Sequence, residues 1–194
     1  MRFAGRESWQ VGHGTNQAVN TALFLRDTLA LSVDTVPELP GLDPSVPVFV
    51  PRGVDRAGVT EEWLGWWADV LDYARAESPV DARLVPTNED STSLLARPAI
   101  RAAVHALREP AASWEASRGR RLSPGALPVG EVVRGVETRL GRQVRPFRLV
   151  ITDVPVQGLV WDRMTPNHVI ASQRFLEDPA RCAPALRAVV EDLA

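Results

Sequence analysis

The stretch TEEWLGWWADVLDYARAE, residues 60–77, holds three of the six tryptophans of the chain and its single tyrosine. Apolar side chains recur along it at the three- and four-residue spacing of an amphipathic helix, namely Trp63, Trp66, Trp67, Val70, Leu71 and Ala74. Thr60 is suited to cap this helix, and the two glutamates that follow it place negative charge at the positive end of the helix dipole. A stripe of this kind has to be buried, so the stretch predicts a helix that packs into a core.

The three tryptophans have two interpretations. Since Trp63, Trp66 and Trp67 continue an apolar stripe, packing within the chain explains them with no further assumption. Tryptophan is also enriched at the hot spots of protein interfaces, and three indoles exceed what one stripe commonly uses. We favour core packing, and a binding face formed by the three tryptophans is the alternative.

The composition is that of an ordinary globular protein. The chain has 194 residues, enough for one domain with a real core, and 45% of them are hydrophobic and 24% charged. All 22 basic residues are arginine, which is typical of a GC-rich bacterial genome. Without lysine there is no P-loop lysine, no Schiff-base nucleophile and no anchor for pyridoxal phosphate. The net charge of −2 argues against nucleic acid as the main partner.

Cysteine usage and hydropathy bear on the location of the protein. Cys182 is the single cysteine, so there is no intrachain disulfide, no Cys-type zinc site and no CxxC redox pair. The N-terminal MRFAGRESWQ lacks the apolar region of a signal peptide, and no apolar run approaches the ~20 residues that span a bilayer. We expect a cytoplasmic protein with no membrane contact and no cofactor, in which Cys182 is a buried small hydrophobe.

Proline and helical periodicity divide the N-terminal half. Residues 1–14 are predicted to be irregular, and a helix capped by Thr15 or Asn16 follows them. Five prolines in residues 36–53, the proline-rich connector, deny helical dihedrals and backbone donors, so this segment is predicted to be extended. A polar, proline-bearing loop over residues 78–93 is a candidate hinge.

The C-terminal half mixes helices and strands. Pro98 is suited to the first turn of one helix, and a separate short helix is predicted around Trp114. A further helix covers residues 129–142, after which residues 147–152 and 168–172 show strand patterns. Prolines at positions 179 and 184 predict one helical turn, a break and a last helix.

These elements predict an α+β fold that is mainly helical, with a small antiparallel sheet or hairpin in residues 144–172. We expect a single domain over residues 1–194. Within it, the pattern indicates a helical N-terminal half (1–92) and an α+β C-terminal half (93–194).

Candidate catalytic residues lie near the predicted hairpin. Ser172 occupies a strand–helix junction, His168 lies four residues earlier, and Asp153 and Asp162 fall in the hairpin region, so a hydrolytic constellation is one hypothesis. The run IASQR lacks the glycines that a GxSxG elbow uses to relieve crowding. Capping of the following helix by Ser172 is therefore the interpretation we favour.

Two further patterns bear on ligands. The loop SRGRRLSPGALP brings Arg120 and Arg121 together as a contact for an anion or phosphate, although a solvated surface loop is the interpretation we favour. The three histidines, His13, His105 and His168, are far apart in the chain, and none has a partner at metal-ligand spacing. No metal site is predicted.

Residues 132–194 resemble the core of the zincin metallopeptidases. They read as a helix, FRLVITDVP, a turn-rich hairpin, HVIASQRFLED and LRAVVEDLA, and in that family a strand of similar pattern precedes the active-site helix. Where the family has its His-Glu-x-x-His, this chain has VVEDLA. The resemblance thus implies a scaffold that does not bind zinc in the family's way, and it carries over no catalytic residue.

Two classes of function follow from these patterns. The one we favour is a non-catalytic binding or accessory protein, whose tryptophan-rich helix and proline-rich connector contact another protein or another copy of the chain. The alternative is a small hydrolase or metal-dependent enzyme. Its site would assemble from Asp153, Asp162, His168 and Ser172, with Arg120 or Arg121 binding an anion.

Overall fold

The computed structural model describes residues 2–6, 9–76, 81–119 and 127–194. It has two compact units, a helical unit over Asn16–Leu122 and a sheet unit that combines Met1–Thr15 with Ser123–Ala194. The described residues contain seven α-helices and a five-stranded sheet, which confirms the predicted α+β, mainly helical class. The single domain over 1–194, with halves 1–92 and 93–194, stays a prediction.

The described elements of the helical unit are α1 Gln17–Thr28, α2 Arg56–Arg75, the 3₁₀ turn Ala82–Leu84, α3 Thr92–Leu95 and α4 Pro98–Gly119. Helix α1 begins as predicted, because the side chain of Asn16 accepts hydrogen bonds from the amides of Ala18 and Val19 at 3.0 and 3.2 Å. Helix α4 begins at Pro98, also as predicted. It continues through Trp114, so the separate helix predicted there is part of α4.

Helix α2, which carries the tryptophans, begins one turn earlier than predicted. The Asp55 carboxylate accepts from the amides of Ala57 and Gly58, both at 3.1 Å, and is the N-cap. Thr60 lies inside the helix, where its hydroxyl donates to the Arg56 carbonyl at 2.9 Å, so the predicted Thr60 cap is wrong. Aspartate caps at least as well as threonine, and the added turn extends the buried stripe with one more side chain.

The tryptophans of α2 form the centre of the helical unit. Trp63 and Trp66 have no solvent exposure, and Trp67 is buried. The Trp63 ring meets Trp66 edge-on, with centroids 5.5 Å apart, and stacks on Trp67 at 6.3 Å. Such pairs add to the free energy of area burial. The three indoles are thus packed within the chain, as we favoured, and offer no exposed face.

Two of these indoles also hold loop segments. The Trp66 Nε1–H donates to the carbonyl of Pro86 at 2.8 Å, and the Trp67 Nε1–H donates to the carbonyl of Val36 at 3.3 Å. Trp63 Nε1 has no hydrogen-bond partner in the described part of the chain. The stripe therefore fixes the start of the proline-rich connector as well as the loop before α3.

Helix α1 fixes the next part of the connector. The buried guanidinium of Arg26 donates to the carbonyls of Leu39 and Pro40, both at 2.7 Å. The Asp27 carboxylate accepts from the amide of Leu42 at 2.6 Å. Leu39 and Leu42 are both buried, so the first half of the connector contributes two side chains to the core, although Val36 is exposed.

The sheet unit contains β1 Arg2–Arg6, β2 Trp9–Thr15, α5 Val129–Leu140, β3 Phe147–Val154, β4 Trp161–Thr165, β5 His168–Ser172, α6 Gln173–Leu176 and α7 Pro179–Leu193. The strand order is β1-β2-β3-β5-β4, in which β3 pairs in parallel with β2 and β5, and β1 and β4 pair antiparallel at the edges. The sheet is therefore mixed rather than antiparallel. It also extends beyond residues 144–172, because residues predicted to be irregular supply β1 and β2.

Helices α5 and α7 share one hydrophobic core with the sheet. Each turns a stripe of buried residues inward, namely Val129, Val132, Val133 and Val136 from α5 and Cys182, Leu186, Val189 and Val190 from α7. Cys182 is buried as predicted, and burial, with the nearby Asp178 carboxylate, raises the pKa of its thiol. The single turn α6, the break after it and the start of α7 at Pro179 are as predicted, but α7 runs on through Pro184. Of the helices described, none combines the length and apolar composition that a bilayer span requires.

Replacing Trp63 with alanine should lower the free energy of unfolding by about 3–5 kcal/mol, because a fully buried indole leaves a cavity and two lost ring contacts. Urea unfolding followed by far-UV circular dichroism measures the change without relying on tryptophan fluorescence. The matched control is Leu64→Ala, whose side chain is 57% exposed on the same helix, and which should stay within about 0.5 kcal/mol of the wild type. Equal losses in the two variants would contradict the central role of the stripe.

Candidate functional site

The four candidate catalytic residues of the sheet unit do not converge. His168 and Ser172 share one face of β5 but stand at its two ends, about 13 Å apart at ~3.3 Å per residue. Asp153 pairs with Ala171 and therefore lies on the opposite face of the sheet. Asp162 is exposed on β4. A nucleophile, a base and an orienting carboxylate need hydrogen-bond contact, and this arrangement does not provide it.

Two of these residues have structural hydrogen bonds instead. The Ser172 hydroxyl accepts from the amides of Phe175 and Val160, at 3.3 and 2.9 Å, and lies 3.1 Å from the Gly158 carbonyl, to which it donates. It caps α6, as we favoured, and closes the turn before β4. His168 is buried, with its Nε2 atom 3.0 Å from the Thr152 hydroxyl.

The remaining predicted ligand residues give no second site. Arg120 and Arg121 lie outside the described residues. Over the ranges that the structure describes, no group of three or more histidine, cysteine, aspartate or glutamate side chains is arranged to hold a metal ion.

A surface groove of about 500 Å³ lies in the helical unit, between the end of the proline-rich connector and α4. Its lining divides into small or apolar residues (Gly53, Val54, Pro98, Ala102 and Ala106) and charged or ionisable ones (Arg52, Glu89, Arg101 and His105). Arg101 and His105 are one helical turn apart and so share a face of α4. We call this feature the basic groove.

The charges of the basic groove are only partly paired. Glu89 Oε1 lies 2.8 Å from His105 Nδ1 and also forms an ion pair with Arg108. The hydrogen bond from His105 is the main cause that holds the pKa of Glu89 below its ordinary value of 4.5. Burial opposes this lowering, and the guanidinium groups of Arg108 and Arg101 add to it. Arg52 makes no ion pair or side-chain hydrogen bond within the described residues.

The connector reaches the groove through an exposed apolar segment. Val48, Phe49 and Val50 are 66, 42 and 46% exposed, and we call these three residues the connector strip. The Phe49 amide donates to the carbonyl of Thr28, the last residue of α1, at 2.8 Å. The strip ends two residues before Arg52. An apolar surface and a cationic groove are thus continuous along the chain.

The sequence pattern predicted the connector but not the groove. Arg52, Glu89 and the α4 residues come from three separate segments, and no local pattern relates them. The four-residue spacing of Arg101 and His105 on a predicted helix was the one available signal.

Comparison with known proteins adds no relative, because no protein-family model, curated protein or solved structure matches the chain. The resemblance of residues 132–194 to the zincin core stays a prediction. The function is therefore inferred from residues and geometry alone.

Replacing Ser172 with alanine should lower the free energy of unfolding by about 2–4 kcal/mol, since α6 loses its cap and the Val160 amide loses its side-chain acceptor. Ser113→Ala, at an exposed position of α4, is the matched control and should change stability by less than about 0.5 kcal/mol. Chemical denaturation of both variants measures this. A Ser172 variant as stable as the control would show that these hydrogen bonds are dispensable.

Glu89→Gln should destabilise the protein near neutral pH, and the difference from the wild type should shrink in acid. Because folding lowers the pKa of Glu89, its contribution is complete above 4.5 and is lost as pH falls through the lowered pKa. Urea unfolding at about pH 6 and about pH 3 measures both limits. The control is Glu109→Gln, on the exposed side of α4, for which no pH-dependent difference is expected. A Glu89 difference that stays constant down to pH 3 would exclude this linkage.

Proposed function

We propose that the protein is a non-catalytic binding protein that acts through protein–protein contacts, with the connector strip as its contact surface. The observation that carries this proposal is the exposure of three consecutive large apolar side chains, Val48, Phe49 and Val50. In an extended segment Val48 and Val50 lie on one side and Phe49 on the other, so the strip exposes apolar surface on both sides. Single exposed apolar residues are ordinary in monomers, whereas neighbouring ones form the apolar patches that are typical of interaction sites.

The exposure of the strip contrasts with the burial of two leucines in the first half of the connector. Leu39 and Leu42, in its first half, are buried and held by α1. The same segment therefore has access to a core, yet its second half leaves three consecutive apolar side chains in water. Since burial of apolar surface is favourable, a partner that covers the strip gains free energy that the isolated chain does not.

The backbone of the strip favours an extended partner. Pro47 and Pro51 bound it, and Pro51 biases Val50, the residue before it, towards extended dihedrals. The Phe49 amide is already bonded to α1, and in an extended segment the amides of Val48 and Val50 point to the other side. A short strand of another protein can pair with that open side by strand addition.

The size of the strip favours a different protein over a second copy. Three side chains offer on the order of a few hundred Å² of apolar surface, while a stable interface buries roughly 800 Å² per partner. This fits a transient contact with a peptide segment of a partner. We place this contact in the cytoplasm, because the chain has a single cysteine and that cysteine is buried and unpaired.

The alternative function gains no support from the geometry. A small hydrolase or metal-dependent enzyme at Asp153, Asp162, His168 and Ser172 needs these side chains within mutual reach. They stand on two faces and at opposite ends of the strands.

Co-purification from the source cells tests the proposal with three forms of the full chain: wild type, Val48→Ser/Val50→Ser and Leu64→Ser. Leu64 is a matched control, an apolar residue 57% exposed in the same unit. A partner recovered with the wild type and with Leu64→Ser should fall at least about tenfold with the strip variant, as expected for loss of contact residues at an interface. Undiminished recovery by the strip variant, or no specific partner with the wild type, would reject the proposal. A band that proves to be the chain itself would replace the partner with self-association.

A further inference from the structure

We infer that the basic groove binds a carboxylate of the partner segment, held by the guanidinium groups of Arg52 and Arg101. The inference deepens the proposed function and rests on it, since the partner that covers the connector strip supplies the carboxylate. It assigns to the groove a ligand chemistry, an acidic side chain or a peptide C-terminus.

The first observation that supports the inference is that two arginines of the groove have no strong ion-pair partner. Arg52 makes no ion pair within the described residues, and Arg101 has only Asp90, at 3.9 Å and largely exposed. A pair so long and so open to solvent contributes little and yields readily to a better acceptor. Guanidinium groups match the planar, two-oxygen geometry of a carboxylate.

Glu89, the acidic residue of the lining, is already neutralised. Its Oε1 atom lies against His105 Nδ1 and Arg108, so two cationic or donor groups face one carboxylate. Because Glu89 is engaged by His105 and Arg108, Arg52 and Arg101 are left as the donors for a ligand. Among the charged or ionisable groups of the lining and their ion-pair partners, Arg52, Arg101, His105 and Arg108 stand against Glu89 and Asp90.

The shape of the groove leaves room for the ligand group. Ala102 and Ala106 lie beside Arg101 and His105 on α4 and have short side chains. Gly53 has a φ of 86°, a conformation that favours glycine, and an added Cβ would meet nothing within 4 Å. Val50 is two residues from Arg52, so their Cα atoms lie within about 7 Å. A segment lying on the strip therefore reaches the groove.

The backbone around the groove favours a carboxylate over a phosphate. Phosphate sites commonly use the free amides at a helix N-terminus. Here Pro98 has no amide proton, and the amides of Ala99 and Ile100 already donate to the Glu62 carboxylate, at 3.4 and 2.9 Å. The start of α4 thus has no such donors left, and the arginine side chains supply the recognition.

Acetate is the probe, titrated at low ionic strength into the full chain while the Nε–H signals of the arginines and the ring signals of His105 are followed by NMR. The signals of Arg52, Arg101 and His105 should shift and saturate in the millimolar range. Arg52→Gln and Arg101→Gln should each weaken binding about tenfold, and Arg75→Gln, an exposed arginine of α2, should leave it unchanged. Ala102→Leu keeps every charge but fills the groove, so it should also abolish the saturable shift.

The outcomes separate this inference from the proposed function. Saturable acetate shifts in both the wild type and the Val48→Ser/Val50→Ser variant support the carboxylate site whatever happens to partner recovery. Absence of such shifts, or equal shifts at all exposed arginines, overturns the site, even if the strip still recovers a partner. Inorganic phosphate, titrated in parallel, should bind less than about tenfold more tightly than acetate, a difference that its additional negative charge accounts for. Binding over about tenfold tighter than acetate would overturn the assignment to a carboxylate.

Discussion

The helical unit depends on one constraint: the indoles of α2 have to leave water, and their N–H groups need acceptors when they do. Proline-rich segments suit this need, because they lack some amide donors but keep every carbonyl. The Pro86 carbonyl accepts from Trp66, and the Val36 carbonyl accepts from Trp67. One buried stripe therefore organises both the helix packing and the loops on either side of α2, which would otherwise have little regular structure to hold them.

Hydrogen bonds fix both halves of the connector, so the exposed strip in its second half has a defined position. Trp67, Arg26 and Asp27 fix the first half, and the Phe49 amide contact to α1 fixes the second. A surface held in place before binding loses less conformational entropy when a partner arrives. The exposed strip is thus an ordered apolar edge. Because little conformational entropy is lost when it binds, a larger share of the free energy of apolar burial is available to a weak contact.

The sequence correctly predicted the helices and strands whose buried residues recur with a regular period within the element itself. The valines of α5 recur with helical period, the alternating residues of β3 mark a strand, and Asn16 caps α1 as a short polar side chain should. Strands β1 and β2 were missed because their stability comes from β3, more than 130 residues away in the chain, and because β2 buries one large apolar side chain, Val11. The separate helix predicted around Trp114 is wrong, because α4 runs on through Pro110 to Gly119.

The candidate sites show why the same spacing misled in one place and held information in another. His168 and Ser172 are four residues apart on a strand, where a residue advances ~3.3 Å, so their side chains lie at opposite ends of β5. Arg101 and His105 are also four residues apart, but on a helix, where that spacing brings side chains to within about 6 Å. Whether two residues at a given spacing can act together therefore depends on whether the element that carries them is a helix or a strand. Glu89 and Arg52 add a further limit, because no local pattern relates them to the α4 pair. Only the folded chain places the Glu89 carboxylate against the imidazole and Arg52 in the lining of the same groove.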